Sequence, residues 1–583
     1  LKRKHSDVFG KVLLSLCESI DTPRALSTWL CFKYNQTELL HLPPVDFADN
    51  DTDAVRLNYF LSEYVSKYKG LKSGIRTADV ALDRWRSAEL QCSVVNQKFK
   101  GFAGRPFEGR VETVLFRTQR LILQLLGPLK LTRVLADCKW GPGATYDLRR
   151  KRATPDNKIS QAISVTVAAF PYFRAVVQSD PHWAGCFLGV IPEGPFSLLP
   201  CANCFSFVRG SRFLTVPKSA KTDRCIAAEP TGNSFLQQGV HSYLVGRLRR
   251  FGIDLSDQGN NQRGAQDAYH AELSTLDLSA ASDTISRELI YHLLPIDWAC
   301  FLDSLRSPET QVAGEWVRTE KFASMGNAFC FDLETIIFWA ISRSVVDIGL
   351  SSRPGSVDRV LVYGDDIIVP RWAAEEVVYH LNFCGFTVNS DKSYIRGNFF
   401  ESCGRHYHRG LDVTPAYQKE LLLHPSEIVR AHNRLVRFAS RLPGNGFKYV
   451  SSALRVLANC YPLRPFPRIP YGIPEDGGFL RPLSEFSLDK NHGYRCHVLD
   501  FVTRFSEARE DALYSYKLRR FPKHVRLRRD VGPFLGDHSS NQPSNPLRTG
   551  HAGNALLGSW RTKVRWISEV TVSNDGSLVP GNE

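Results

Sequence analysis

The stretch LVYGDDIIVP, Leu361 to Pro370, places two adjacent carboxylates inside a run otherwise built for burial. Leu361-Val362-Tyr363 and Ile367-Ile368-Val369 are short, apolar and β-branched or aromatic, which predicts two strands, the second closed by Pro370. Gly364 can take the positive φ of a tight turn, so Asp365 and Asp366 are expected at the tip of a rigid hairpin. Taken alone, Gly-Asp-Asp is an ordinary surface turn. It becomes a metal site only if a third carboxylate arrives from elsewhere, because Mg²⁺ takes hard oxygen ligands and shares them with substrate phosphates.

The candidate partner lies in STLDLSAASDTIS. Leu273 to Leu276 reads as a strand leading into Asp277, and Ser282 as the N-cap of a helix with Asp283 in its first turn. An aspartate at a strand end is well placed to meet a hairpin tip on a neighbouring strand. Asp277, Asp365 and Asp366 together would suit two Mg²⁺ ions about 3.5 to 4 Å apart, the arrangement of in-line phosphoryl transfer. Between them, ASMGNAFCFDLETIIFWAI predicts a Gly326-Asn327 loop before a buried helix, an arrangement common in proteins without any site. Upstream, Lys218, Lys221 and Arg224 in TVPKSAKTDRCIAAEP form a polar cationic run. Such runs are usually solvated faces, but a triphosphate bridged to Mg²⁺ needs cations on its other side.

Length and charge bound the alternatives. A chain of 583 residues exceeds the size of one core, and 43% hydrophobic residues suffice for several subdomains. The formal charge of +15 points to an anionic partner, nucleic acid being the commonest. Fourteen cysteines are scattered, and Cys201-Ala-Asn-Cys204 lacks the second pair of a zinc site, so reduced thiols are expected. Cys403, His406 and His408 are better read as strand residues than as metal ligands. No stretch reaches the length of a membrane span. LKRKHSDVFGKVLLSL reads as an amphipathic helix; the chain opens on Leu1 and its single methionine is Met325, so its natural start is expected upstream.

Residues 1–135 read as mainly helical, 140–265 as strands and loops, and 270–410 as α+β around an antiparallel sheet. Helices such as PSEIVRAHNRLVRFASRL follow, then Pro-rich connections and the basic run KLRRFPKHVRLRR at 517–529. Residues 531–560 are expected to be loop or partly disordered, with a last strand in KVRWISEVTV.

In chain order, WGPGAT, VPKxxKTDRxIAxEP, GIDLxDQxxNQRxAQ, DLSAASDxIS, SMGN, YGDDI and FFESCGRHYHRGLDVTP resemble the replicases of the leviviruses, small positive-strand RNA bacteriophages. The resemblance is close over residues 140–415 and one of layout elsewhere. It implies an α+β right-hand fold: residues 1–135 in a helical region bridging fingers and thumb, 136–269 fingers, 270–412 palm, and 413–583 thumb and C-terminal region. It implies RNA-directed RNA polymerase activity in the cytoplasm of an infected bacterium, with Asp277, Asp365 and Asp366 holding two Mg²⁺ ions, replaceable by Mn²⁺. Lys218, Lys221 and Arg224 would contact the incoming triphosphate. Asp283 and Asn327 would read the ribose, Ser324 and Gly326 would lie in the same nucleotide site, and Lys392 in NSDKSYI would donate a proton to pyrophosphate. RNA, ribonucleoside triphosphates, elongation factors Tu and Ts and a small-subunit ribosomal protein are the implied partners. Ala328, Cys330 and Asp332 depart from the Gly-aromatic-Thr-Phe-Glu that follows SMGN in these replicases, so template contacts there are expected to differ. A reverse-transcriptase-like enzyme and a non-catalytic RNA binder are the alternatives. The first would place an aromatic gate where Asp283 stands, and the second would have no use for carboxylates that repel phosphate.

Overall fold

The Leu361–Pro370 stretch forms its expected hairpin in the computed structural model of the chain. The structure describes residues 2–503, apart from 41–44, 50, 72–74, 102–106, 142, 150–151, 154–156, 159–161, 189–203, 219–221, 474–475 and 490–492, together with 558–567. Asp366–Pro370 is the central strand of a three-stranded antiparallel sheet, with Leu361–Tyr363 on one edge and Leu273–Leu276 on the other. Gly364 turns the chain at φ +60°, and a β-carbon there would collide with the Phe331 ring. Ile367 and Val369 enter the main core, whereas Ile368 enters a smaller one with Ala265, Ala268, Leu273 and Phe400. Both faces of the strand are thus covered, which explains an unbroken apolar run instead of alternation.

Helix Cys330–Leu350 lies beneath this sheet, and most of its surface is buried. A second sheet carries the cationic run: Gly210–Pro217 pairs antiparallel with Asp223–Ala228 and parallel with Glu309–Val312, itself in a hairpin with Glu315–Arg318. Residues 309–318 therefore complete a sheet begun a hundred residues earlier. The amphipathic N-terminal helix, Lys2–Ile20, forms as expected. With Thr52–Ser66 it packs against Pro425–Ser440 and Ser451–Asn459, joining Phe9, Leu13 and Phe60 to Leu435, Phe438 and Leu457 in a separate core.

Three expectations change. Within 140–265, helices Phe170–Gln178, Pro181–Leu188, Thr231–Arg250 and Gly259–Asp267 outweigh the strands. Thr231–Arg250 hides its period because it buries polar residues: Asn233 and Gln237 both donate to the Leu305 carbonyl at 3.0 Å. Ser282 caps no helix. Residues Ala281–Asp283 form a single 3₁₀ turn, Ser282 Oγ donates to Glu334 Oε2 at 2.7 Å, and the next helix begins at Arg287. Finally, the last strand runs Gly558–Ile567, starting inside the expected loop and pairing along its length with Gly493–Thr503. The basic run 517–529 and residues 531–557 lie outside the described residues. Among the described residues no helix is long and apolar enough to cross a membrane.

Candidate active site

The sheet register brings the three carboxylates together. Ile367 faces Leu276, so one step further along the antiparallel pair Asp366 comes level with Asp277, and Asp365 sits on the adjoining turn. Each is fixed from a different element. Asn389 Nδ2 donates to Asp277 Oδ2 at 2.8 Å, and the Asp277 N–H donates to Ser393 Oγ at 3.0 Å. Ser402 Oγ donates to Asp366 Oδ1 at 3.3 Å, and Asn261 Nδ2, in the GIDLxDQxxNQRxAQ segment, donates to the Asp366 carbonyl at 3.1 Å.

Burial raises the pKa of all three acids. Asp277 adds to the rise at Asp365, and Asp365 and Asp277 add to it at Asp366, whose carboxyl is pushed up to about 7. Three hard oxygen donors that destabilise one another are what a divalent cation would relieve. Among the described residues no group of three or more His, Cys, Asp or Glu side chains is preassembled to hold a metal ion. Mg²⁺ sites that share the ion with a nucleotide need only one or two carboxylates, the substrate phosphates and water supplying the rest. The donor set therefore fits Mg²⁺ bound together with substrate.

Cations flank the acids. Lys218 follows the strand Gly210–Pro217, and Arg224 pairs across the hairpin with Val216. Burial, Arg224 and Lys392 pull the Lys218 ammonium down, while Asp365 and Asp277 oppose them. Lys221 lies outside the described residues. At Lys392 burial also pulls downward, but Glu401, Asp277, Asp366 and Asp365 outweigh it, so the ammonium is held protonated. Lys392 and the carboxylates thus share one field.

Asp283 differs from its expected setting. Its Oδ1 accepts from Lys321 Nζ at 2.8 Å, and Lys321, 1% exposed, also meets Glu89 Oε1 at 3.2 Å. The Ser324–Asn327 loop is held by the Ala227 N–H donating to the Met325 carbonyl at 2.8 Å. Gly326, at φ +118°, lies where a β-carbon would strike the Ala227 carbonyl. Ser324 is half-buried beside it. Asn327 Oδ1 accepts from the Phe329 N–H at 3.0 Å, while its buried Nδ2 has no partner among the described residues. Among the described residues no hydrogen bond joins Asp283 to Asn327. The substituted Asp332 is fully buried against His241 Nδ1 at 2.8 Å.

Sequence reasoning missed four acidic or basic groups here. Glu401 sits in FFESCGRHYH, a segment read for its cysteine and histidines; Lys321 immediately precedes the SMGN segment; Glu334 is a charge inside an apolar helix; Glu89 comes from the distant helix Thr77–Gly101. The glutamate in an otherwise apolar helical run was the one readable signal. His406 and His408 serve as strand residues: Tyr59 Oη contacts His406 Nδ1 and Thr52 Oγ1 contacts His408 Nδ1, each at 2.8 Å. Burial pushes the His406 imidazole down to about 3.

Comparison with known proteins places this geometry. Residues 24–443 match the model of the family described as RNA replicase, beta-chain. The RNA-directed RNA polymerase subunit beta of Qbeta virus strain MX1 is 36% identical over 393 residues, 67% of this chain and 63% of that protein. The chain thus spans less than two thirds of that relative's length. The corresponding subunit of Enterobacteria phage SP is 33% identical over 545 residues, 91% of this chain and 89% of that one. A solved structure, the Sicinivirus 3Dpol RNA-dependent RNA polymerase, aligns at TM-score 0.28 and 15% identity over 47% of this chain and 66% of that one.

Proposed function

The chain belongs to the RNA replicase beta-chain family, and from that premise we propose that it copies RNA from an RNA template, joining ribonucleoside triphosphates into the new strand. The observation that carries this reading is the convergence of Asp277, Asp365 and Asp366 at one end of a sheet, their pKa values raised by burial. These residues would hold two Mg²⁺ ions, or Mn²⁺ in their place, which when bound activate the attacking 3′-hydroxyl and neutralise the leaving pyrophosphate.

The remaining roles belong to the chain's own groups. Lys218, Lys221 and Arg224 bind the incoming triphosphate. Lys392, kept protonated by the surrounding carboxylates, holds a proton at Nζ for the departing pyrophosphate. The loop of Ser324, Gly326 and Asn327 borders the ribose, and the unpartnered Asn327 Nδ2 is available to a sugar hydroxyl. In the right-hand description the carboxylate sheet is the palm, the Lys218 sheet belongs to the fingers, and the helices after residue 413 to the thumb. Assembly with elongation factors Tu and Ts and a ribosomal protein, in the cytoplasm of an infected bacterium, extends the proposal by resemblance.

The test is synthesis by the purified full chain with RNA template, Mg²⁺ and either ribo- or deoxynucleotides, with and without the two factors. Template-dependent incorporation of ribonucleotides is expected. Preferential use of deoxynucleotides would instead indicate a reverse transcriptase, and RNA binding without incorporation under every condition a non-catalytic binder.

A further inference from the structure

Gln237 is fully buried on helix Thr231–Arg250, and its amide reaches three separate parts of the chain. Its Nε2 donates to Glu229 Oε2 at 3.2 Å and to the Leu305 carbonyl at 3.0 Å, while its Oε1 accepts from the Ala328 N–H at 3.3 Å. These partners leave the amide one orientation. Turned over, it would set its oxygen against a carboxylate and a carbonyl, and its NH2 against an N–H. Ser307 Oγ donates to the same Glu229 oxygen at 2.6 Å, and burial pushes that carboxyl up to about 7. A glutamine satisfied by Glu229 and Leu305 alone would be a core residue and nothing more. The bond to Ala328 crosses into the loop that carries Asn327.

That crossing fixes one particular peptide. The planar unit joining Asn327 to Ala328 has its N–H held by Gln237 and its carbonyl by the Cys330 N–H at 3.2 Å. The Asn327 N–H donates to the Ser324 carbonyl at 3.0 Å, so the backbone of Asn327 is pinned on both sides. Its Oδ1 takes the Phe329 N–H, and the buried Nδ2 is the atom left for a ligand. The loop's other anchor, Ala227, lies in the strand just before this helix, the strand that also bears Arg224. One stretch of chain, 223–237, thus holds the loop from two sides. We propose that Gln237 is a positioning residue for sugar selection: it touches no nucleotide, and it sets the Asn327–Ala328 peptide so that Asn327 Nδ2 stands at the ribose. The inference rests on the reading above, in which the Asn327 loop borders the sugar.

The full chain is assayed on an RNA template with matched ribo- and deoxynucleotides, kcat and KM being measured for each. Gln237→Met, of similar length, removes the acceptor for the Ala328 N–H. The ratio of kcat/KM for ribo- over deoxynucleotides is expected to fall about fivefold, the effect of one lost hydrogen bond, with ribonucleotide KM raised and deoxynucleotide KM unchanged. Gln237→Glu keeps an oxygen for Ala328 and, protonated beside Glu229, a donor as well, so it should retain most of the ratio. Ser307→Ala takes a hydrogen bond from Glu229 without touching the loop and should lower stability alone. A ratio unchanged in Gln237→Met, or lowered equally in Gln237→Glu or Ser307→Ala, would make Gln237 a core residue and overturn the proposal. Should Gln237→Met not fold, Gln237→Asn, one methylene short of Ala328, takes its place under the same expectation. Hydrogen exchange of residues 324–329 reads the anchoring apart from catalysis: faster exchange in Gln237→Met is expected, and unchanged exchange overturns it. Asn327→Ala separates this inference from the reading it rests on. If that variant lowers the ratio, adding Gln237→Met should lower it no further, and a second loss of the same size would overturn the proposal. If Asn327→Ala leaves the ratio at wild type, the ribose reading fails, and the sugar-selection role falls with it while faster exchange in Gln237→Met still upholds the anchoring of the loop.

Discussion

Asp277 and Asp283 lie on either side of one short turn, yet they stand in opposite electrostatic conditions. Asp283 is matched by Lys321, a lysine 1% exposed that also meets Glu89. The Asp277 carboxylate is matched by a hydrogen bond from the neutral Asn389 amide and by the more distant fields of Lys392 and Lys218, and its neighbours Asp365 and Asp366 are acids too. In the first cluster a buried cation from the protein itself offsets part of the acidic charge. Among the described residues the second has no ion pair of its own. That difference separates an acid with a buried lysine beside it from acids without one, although all of them look alike in the sequence.

The comparison breaks most sharply at Asp365. Asp365→Asn keeps the side chain's shape and removes one charge from the cluster. Synthesis is expected to fall on the order of ten-thousandfold, the several kcal/mol that a metal-held charge contributes, while RNA affinity by filter binding stays near wild type. Substantial incorporation by the folded variant would refute a metal-holding role. At the other cluster the large effect is on stability. Lys321→Met leaves Asp283 and Glu89 without their shared partner at a buried site, a loss of about 3 to 5 kcal/mol in denaturant unfolding. A loss below about 1 kcal/mol would show that water already solvates both acids.

Glu334 lies between the clusters, within the fields of both Asp365 and Asp283, and burial pushes its carboxyl up to about 8. As pH rises above its ordinary value of 4.5, the unfolded chain releases this proton while the folded chain keeps it. Its contribution to stability therefore declines from about pH 4.5 until the folded group ionises near 8. Glu334→Gln can still accept from Ser282 and removes that decline. The variant is expected to match wild type near pH 5 and to exceed it by roughly 1 to 3 kcal/mol at pH 8 and above. Parallel stability curves across this range would show that Glu334 ionises normally.

What could be read from the sequence follows the distance over which each feature is determined. The Leu361–Pro370 hairpin is written in ten consecutive residues, and both its strands and its turn form where expected. Asp277 was recognisable as a strand-end acid, but its register against Asp366 depends on pairing across ninety residues of chain. Glu89 and Lys321 meet only because helix Thr77–Gly101 packs beside the segment preceding Met325, and nothing local to either residue announces it. Thr231–Arg250 was missed because buried, hydrogen-bonded Asn233 and Gln237 occupy positions where a periodic pattern requires apolar residues.

The smallest effect concerns Asp283 itself, because Lys321 already occupies one of its oxygens. Asp283 ends a 3₁₀ turn instead of opening a helix, so a helix-dipole role does not apply. Two roles remain. As a structural counter-ion, Asp283 would hold Lys321 and through it helix Thr77–Gly101, and Asp283→Ala would lower stability and slow all nucleotides alike. As a sugar reader, its second oxygen would accept from the ribose 2′-hydroxyl, and a deoxynucleotide would leave that acceptor unpaired. An unpaired buried acceptor costs about 1 to 3 kcal/mol, of which Lys321 already offsets part, so the expected ribose preference due to Asp283 is about tenfold. Asp283→Ala should therefore compress the ratio of kcat/KM for ribo- over deoxynucleotides by about that factor. Asp283→Asn retains an acceptor and should keep most of the ratio even as Lys321 loses its ion pair. Stability would report the loss of the ion pair in both variants, so only the ratio distinguishes the roles. A ratio unchanged in Asp283→Ala would assign Asp283 wholly to the Lys321 ion pair and leave ribose selection to the Asn327 loop.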